Sequence, residues 1–92
     1  MALQILENNG TFFLEGNLNA TTSRSFIIHF EYLINSCSSI TINIGRLKGI
    51  DSNGVSAIKS LFANALRNQK LFSVNGLGSK DIYEDIQSDN AA

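Results

Sequence analysis

The sequence predicts a mixed α/β domain, a four-stranded β-sheet in the order ββαβαβα with its helices on one face. Three observations carry this expectation. Short β-branched and aromatic runs alternate apolar with polar residues, two longer segments repeat their apolar residues at helical spacing, and an Asn-Gly pair joins the first two runs directly.

The first strand is read at Leu3 to Asn8, where Leu3 and Ile5 flank Gln4. Asn8-Asn9-Gly10 then offers the residues that tolerate positive φ, the strongest short-range hairpin signal. Thr11-Phe12-Phe13-Leu14-Glu15 completes the antiparallel pair. Gly16 to Asn19 reads as a polar loop, followed by Thr21-Thr22-Ser23, whose hydroxyls suit a helix N-cap. From about Thr21 to Asn35, Phe26, Phe30, Leu33 and Ile34 recur at i, i+4, i+7 and i+8, one face of an amphipathic helix.

Ile40-Thr41-Ile42-Asn43-Ile44 has the clearest strand alternation in the chain. Gly45 to Gly49 reads as a connection. A second helix follows the Ile50 to Gly54 segment and ends near Asn68, with Val55, Ile58, Leu61, Phe62, Ala65 and Leu66 as its apolar face. Leu71 to Asn75 is short and β-like. Ser79-Lys80-Asp81 opens a short third helix carrying Ile82, Tyr83 and Ile86, and residues 88–92 form a tail expected to fray. Right-handed crossovers place both main helices on one face, leaving the other face of the sheet as a candidate contact surface.

With 92 residues and 43% hydrophobic content, the chain is expected to form a single domain over residues 1–92 with one core. No apolar run approaches the roughly 20 residues that span a bilayer, and Met1 to Glu7 does not resemble a secretory signal. Cys37 is the only cysteine, which excludes an intrachain disulfide and argues against a cysteine zinc site. Together these features point to the cytoplasm. Seven Lys and Arg, scattered along the chain against eight Asp and Glu, form no basic face for nucleic acid. Only 16% of residues are charged, so a partner protein would have little charge to desolvate on docking.

Nothing resembles a catalytic constellation. His29, the only histidine, lies at the margin of the first helix's apolar stripe, and no nucleophile motif surrounds it or Cys37. Asp81, Glu84 and Asp85 read as a solvated face, with Asp81 suited to the positive end of its helix. Gly45, Gly49 and Gly54 do not have the spacing of a phosphate-binding loop. No catalytic residue, metal site or cofactor is expected. The informative stretch is Ile50-Asp51-Ser52-Asn53-Gly54-Val55, where a hydrophobic run reaches a helix start with Asp51, Ser52 or Asn53 available as cap. Such an entrance exposes unpaired N–H groups that suit a phosphoryl group or a partner's acidic side chain, or it is a capped helix and nothing more.

The run Ser39 to Ile44, followed by Ile50-Asp51-Ser52-Asn53-Gly54-Val55-Ser56-Ala57-Ile58, resembles the heart of a STAS domain, the family of anti-sigma-factor antagonists. Gly16-Asn17-Leu18-Asn19 is similar to that family's Gly-x-Leu-Asp segment, and the element order agrees over nearly the whole chain. The resemblance implies a bacterial, cytoplasmic regulator of transcription without enzymatic activity. Its partner would be an anti-sigma factor of kinase-like fold, which it binds until phosphorylated on the second residue of a Ser-Ser pair. That position is Asn53 here, which has no hydroxyl, and Ser52 beside it is the substitute acceptor. The implied docking surface comprises Asp51, Ser52, Asn53, Gly54 and Val55, then Ser56 and Lys59 on the exposed side of the following helix. Asn19 and the pair Leu47 and Lys48 complete it. An alternative of the same fold is an accessory subunit of a lipid-exporting ABC-type transporter. Family members usually continue with a further strand and helix, so an uncovered sheet edge, closed by a partner or a homodimer, is also expected.

Overall fold

A computed structural model describes residues 3–76, 78 and 80–84. The elements are β1 (Gln4–Asn8), β2 (Thr11–Leu18), α1 (Ser23–Ser36), β3 (Ser39–Asn43), β4 (Leu47–Ile50), α2 (Ser52–Arg67) and β5 (Leu71–Asn75). Residues 80–84 are helical, as expected of the third helix. Ile86 and the tail over 88–92 lie outside the described residues.

The sheet has five strands, where four were expected. Along its main path the order is β1-β2-β3-β5, and β4 pairs with the far end of β2. β1 and β2 are antiparallel, joined by Asn9 and Gly10, whose φ angles of 52° and 85° suit a two-residue hairpin turn. The pairs β2–β3, β2–β4 and β3–β5 are parallel.

The additional strand arises where the sequence showed only a loop and a connection. Gly16-Asn17-Leu18 does not end β2 but extends it, and Leu47-Lys48-Gly49-Ile50 pairs alongside. Neither segment has β-branched alternation, so each is a strand because the other lies beside it. Gly49 fits this close pairing: a Cβ there would stand 2.9 Å from Asn17 Oδ1.

Alternation on the strands decides the core. Leu14 and Leu18 on β2, Ile40 and Ile42 on β3, and Phe72 and Val74 on β5 are buried. The register sets Ile40 beside Phe72 and Ile42 beside Val74. Phe26, Phe30 and Ile34 from α1, with Ala57, Ile58, Leu61 and Ala65 from α2, join them in one cluster. Both helices therefore occupy one face of the sheet. Phe30 anchors this layer, edge-on to Phe12 at 5.4 Å and tilted against Phe26 at 5.1 Å. Full burial of such a side chain contributes about 1.5–3 kcal/mol.

Leu66 departs from the expected apolar face of α2, being 79% exposed. The stripe is narrower at this end of the helix, and Ala57 takes an inward position instead. The opposite face of the sheet carries Leu6 beside Phe13, with Leu71 further across. Arg46 covers part of it, its guanidinium 4.4 Å from the Phe13 ring centroid and 3.3 Å from Glu15 Oε2.

The hydroxyls before α1 act differently from the expected helix cap. Thr22 stands at the N-cap but makes no side-chain cap bond. Its Oγ1 instead donates to the Asn17 carbonyl at 2.9 Å and accepts from the Asn19 N–H at 3.0 Å. Ser23 Oγ donates to the Asn19 carbonyl. These bonds fold the β2–α1 loop back on itself and fix where β2 ends.

Candidate functional site

The start of α2 is bolted to the end of β2. The Asp51 N–H donates to the Leu18 carbonyl at 3.2 Å, while its carboxylate accepts from the Gly54 N–H at 3.1 Å. Of the three candidate caps, Asp51 takes the role, with extended backbone before the helix begins. The Asp51 carbonyl then accepts from the Val55 N–H at 3.0 Å, which closes the first turn.

Gly54 is buried, which removes it from the expected docking surface. A Cβ at this position would collide with the Leu18 carbonyl oxygen and come within 2.8 Å of Ile50 Cγ1. The glycine lets the first turn of α2 lie directly on the ends of β2 and β4. Its neighbours Asp51, Ser52 and Asn53 are exposed.

Beside this turn lies an open groove of about 670 Å³. β4 supplies Leu47, Lys48, Gly49 and Ile50, and α2 supplies Ser52, Val55, Ser56 and Lys59. Ile44 stands at its base, and Gly78, Asp81 and Ile82 form the third wall. The groove thus combines aliphatic side chains with two lysines and one aspartate.

Of the residues singled out in the sequence, Leu47, Lys48, Ser52, Val55, Ser56 and Lys59 meet in this groove. Asp51 serves as the α2 cap and Asn53 sits on the exposed first turn, and neither lines the groove. Asn19 does not line the groove. Its side chain stays within its own loop, where Oδ1 accepts from the Thr21 N–H at 3.0 Å and from the Thr21 hydroxyl at 2.7 Å. The pairing of Leu18 with Ile50 nevertheless carries Asn19 to the same end of the sheet as Asp51.

Sequence reasoning missed Ile44, Gly49, Gly78, Asp81 and Ile82 as groove residues. No local pattern marks them, because they converge only through the parallel pairing of β4 and the return of the chain after β5. His29 is exposed and stands edge-on to Phe30 at 5.1 Å, beside a smaller cleft with Leu3, Ile5 and Phe26. Cys37 is half-buried at the end of α1, where its N–H donates to the Leu33 carbonyl. No group of His, Cys, Asp and Glu among the described residues could hold a metal ion. No described helix is long and apolar enough to cross a membrane.

The combination of a β-hairpin, parallel crossovers and a helix start docked on the sheet's end defines a STAS-type fold. Solved structures agree. The anti-sigma factor antagonist SpoIIAA in its unphosphorylated form is similar with a TM-score of 0.62 and 17% identity, over 78% of this chain and 70% of that one. SpoIIAA of Bacillus in its phosphorylated form, described as a cell fate determinant, gives a TM-score of 0.68 and 16% identity over 95% and 82%. The fold also lies within a larger protein, Mglu, with a TM-score of 0.65 and 14% identity over 82% of this chain but 19% of that one. No family model matches the chain, and no curated protein matches it in sequence.

Proposed function

We propose that this chain is a non-enzymatic regulatory module that binds another protein through the α2 entrance and the groove beside it. The partner class is an anti-sigma factor of kinase-like fold. One observation carries the reading: on a SpoIIAA-type fold, the exposed Ser52 lines an open groove built by β4 and α2, and the exposed Asn53 follows it in the first turn of α2.

The chemistry of the surface supports association. Leu47, Ile50 and Val55 offer apolar area, Lys48 offers charge to an acidic partner, and Asp51 is held in place as the cap. A phosphate added to a tight interface would bring roughly two negative charges and disrupt it by repulsion and desolvation. Asn53 offers no hydroxyl for such a phosphate, and its polarity keeps the entrance in the unphosphorylated, binding-competent state. Regulation then falls to Ser52 or to control of abundance.

The test is calorimetric titration of the chain with its genomically neighbouring kinase-like protein, followed by mass spectrometry after incubation with ATP. Binding without phosphate at Asn53 is expected. Asn53→Asp should weaken binding at least tenfold, and Asn53→Ser should create a phosphorylation site at that residue. No association with the kinase-like protein overturns the reading, and specific co-purification with a transporter ATPase subunit would replace it with the transporter role. Phosphate on Ser52 in the native chain would end the idea of a permanently binding-competent entrance.

A further inference from the structure

β5 lies at the end of the strand order, with β3 on one side and no strand among the described residues on the other. The Leu71 N–H donates to the Ser38 carbonyl at 3.1 Å, and the Asn75 carbonyl accepts from the Ile44 N–H at 3.0 Å. Leu71, Ser73 and Asn75 thus turn their peptide groups toward β3, and Phe72 and Val74 turn theirs outward. The outer edge lacks the usual protections against pairing with another chain. Leu71–Asn75 contains no charged residue and no proline, and its register with β3 has no bulge.

What guards this edge is Tyr83. Its phenol oxygen accepts from the Val74 N–H at 2.7 Å. Its ring stands edge-on to Phe62 at 5.5 Å, and Phe62 in turn stands edge-on to Phe72 at 4.9 Å. The adjoining Ile82 is buried in the core. We propose that residues 80–84 form a strap, pinned by Tyr83, that covers the outer edge of β5, and that lifting the strap lets β5 pair antiparallel with β5 of a second copy of this chain.

A second copy fits this edge for a geometric reason. A two-fold axis through Ser73 sets Phe72 opposite Val74 of the other copy, so both outward N–H groups reach a carbonyl. Leu71 then lies across from Asn75, and no like charges meet because the strand has none.

The experiment measures amide exchange and association in variants of the whole chain. Tyr83→Phe keeps the ring and removes the acceptor, so exchange at Val74 should rise about two- to tenfold. The dimer association constant should rise by the square of that factor, since both copies must open. Tyr83→Ala should be dimeric by light scattering at concentrations where the native chain is monomeric. Adding Ser73→Lys, which opposes two ammonium groups across the axis, should return it to monomer. Unchanged Val74 exchange in Tyr83→Phe overturns the proposal, as does a folded, strictly monomeric Tyr83→Ala or a dimer indifferent to Ser73→Lys. If Tyr83→Ala does not fold, association of Tyr83→Phe decides, and a constant equal to the native value refutes the strap.

Discussion

Replacing Gly54 with alanine tests whether close approach, rather than helix propensity, governs the start of α2. In an exposed helix the change would stabilise by up to about 1 kcal/mol, because alanine is the better helix former. Here the new methyl would enter the space of the Leu18 carbonyl oxygen and lie 2.8 Å from Ile50 Cγ1. The carbonyl cannot yield by a rotamer change, since it accepts the Asp51 N–H that anchors the same turn. Overpacking of a tight site costs about 1–3 kcal/mol, and backbone as the obstacle places this case at the upper end. The net destabilisation is then about 2 kcal/mol, and for a domain of this size Tm falls by roughly 8–16 °C. Urea titration followed by far-UV circular dichroism measures it, with Cm lowered and the m-value unchanged. A variant as stable as the native chain would refute the reasoning, because it would mean that α2 shifts away from β2 at no cost.

Further expectations separate the contributions of neighbouring groups. Gly49→Ala should change stability by less than about 0.5 kcal/mol in the same titration. Its Cβ meets only Asn17 Oδ1, the far end of a side chain that can rotate. Asp51→Ala removes the α2 cap and should cost about 1 kcal/mol, with faster amide exchange at Gly54 as the local readout. Phe30→Ala empties a fully buried site between Phe12 and Phe26 and should cost about 3–5 kcal/mol in thermal or urea unfolding.

The hairpin, both main helices, β3 and β5 were legible in the chain because their signals are local. Asn9-Gly10 needs only its own backbone freedom, and Ile40-Thr41-Ile42 sorts its side chains by simple alternation. The Asp51 cap was readable as one of three candidates, since an oxygen-bearing side chain before an apolar helix is a short-range signal. The STAS-type resemblance rested on the same residues, and the solved structures agree with it at the level of fold.

What tertiary structure alone decided lies where two weak segments meet. Gly16-Asn17-Leu18 and Leu47-Lys48-Gly49-Ile50 have no strand pattern, and each finds its strand partner in the other. Their pairing brings β4 beside α2 and makes the groove, to which Asp81 and Ile82 are added from more than 30 residues further along the chain. The burial of Gly54 and the bond from Val74 to Tyr83 are likewise products of packing. Local sequence sets which residues favour a helix, a strand or a turn. Long-range contacts determine which of those elements share an edge, and the groove exists only between such elements.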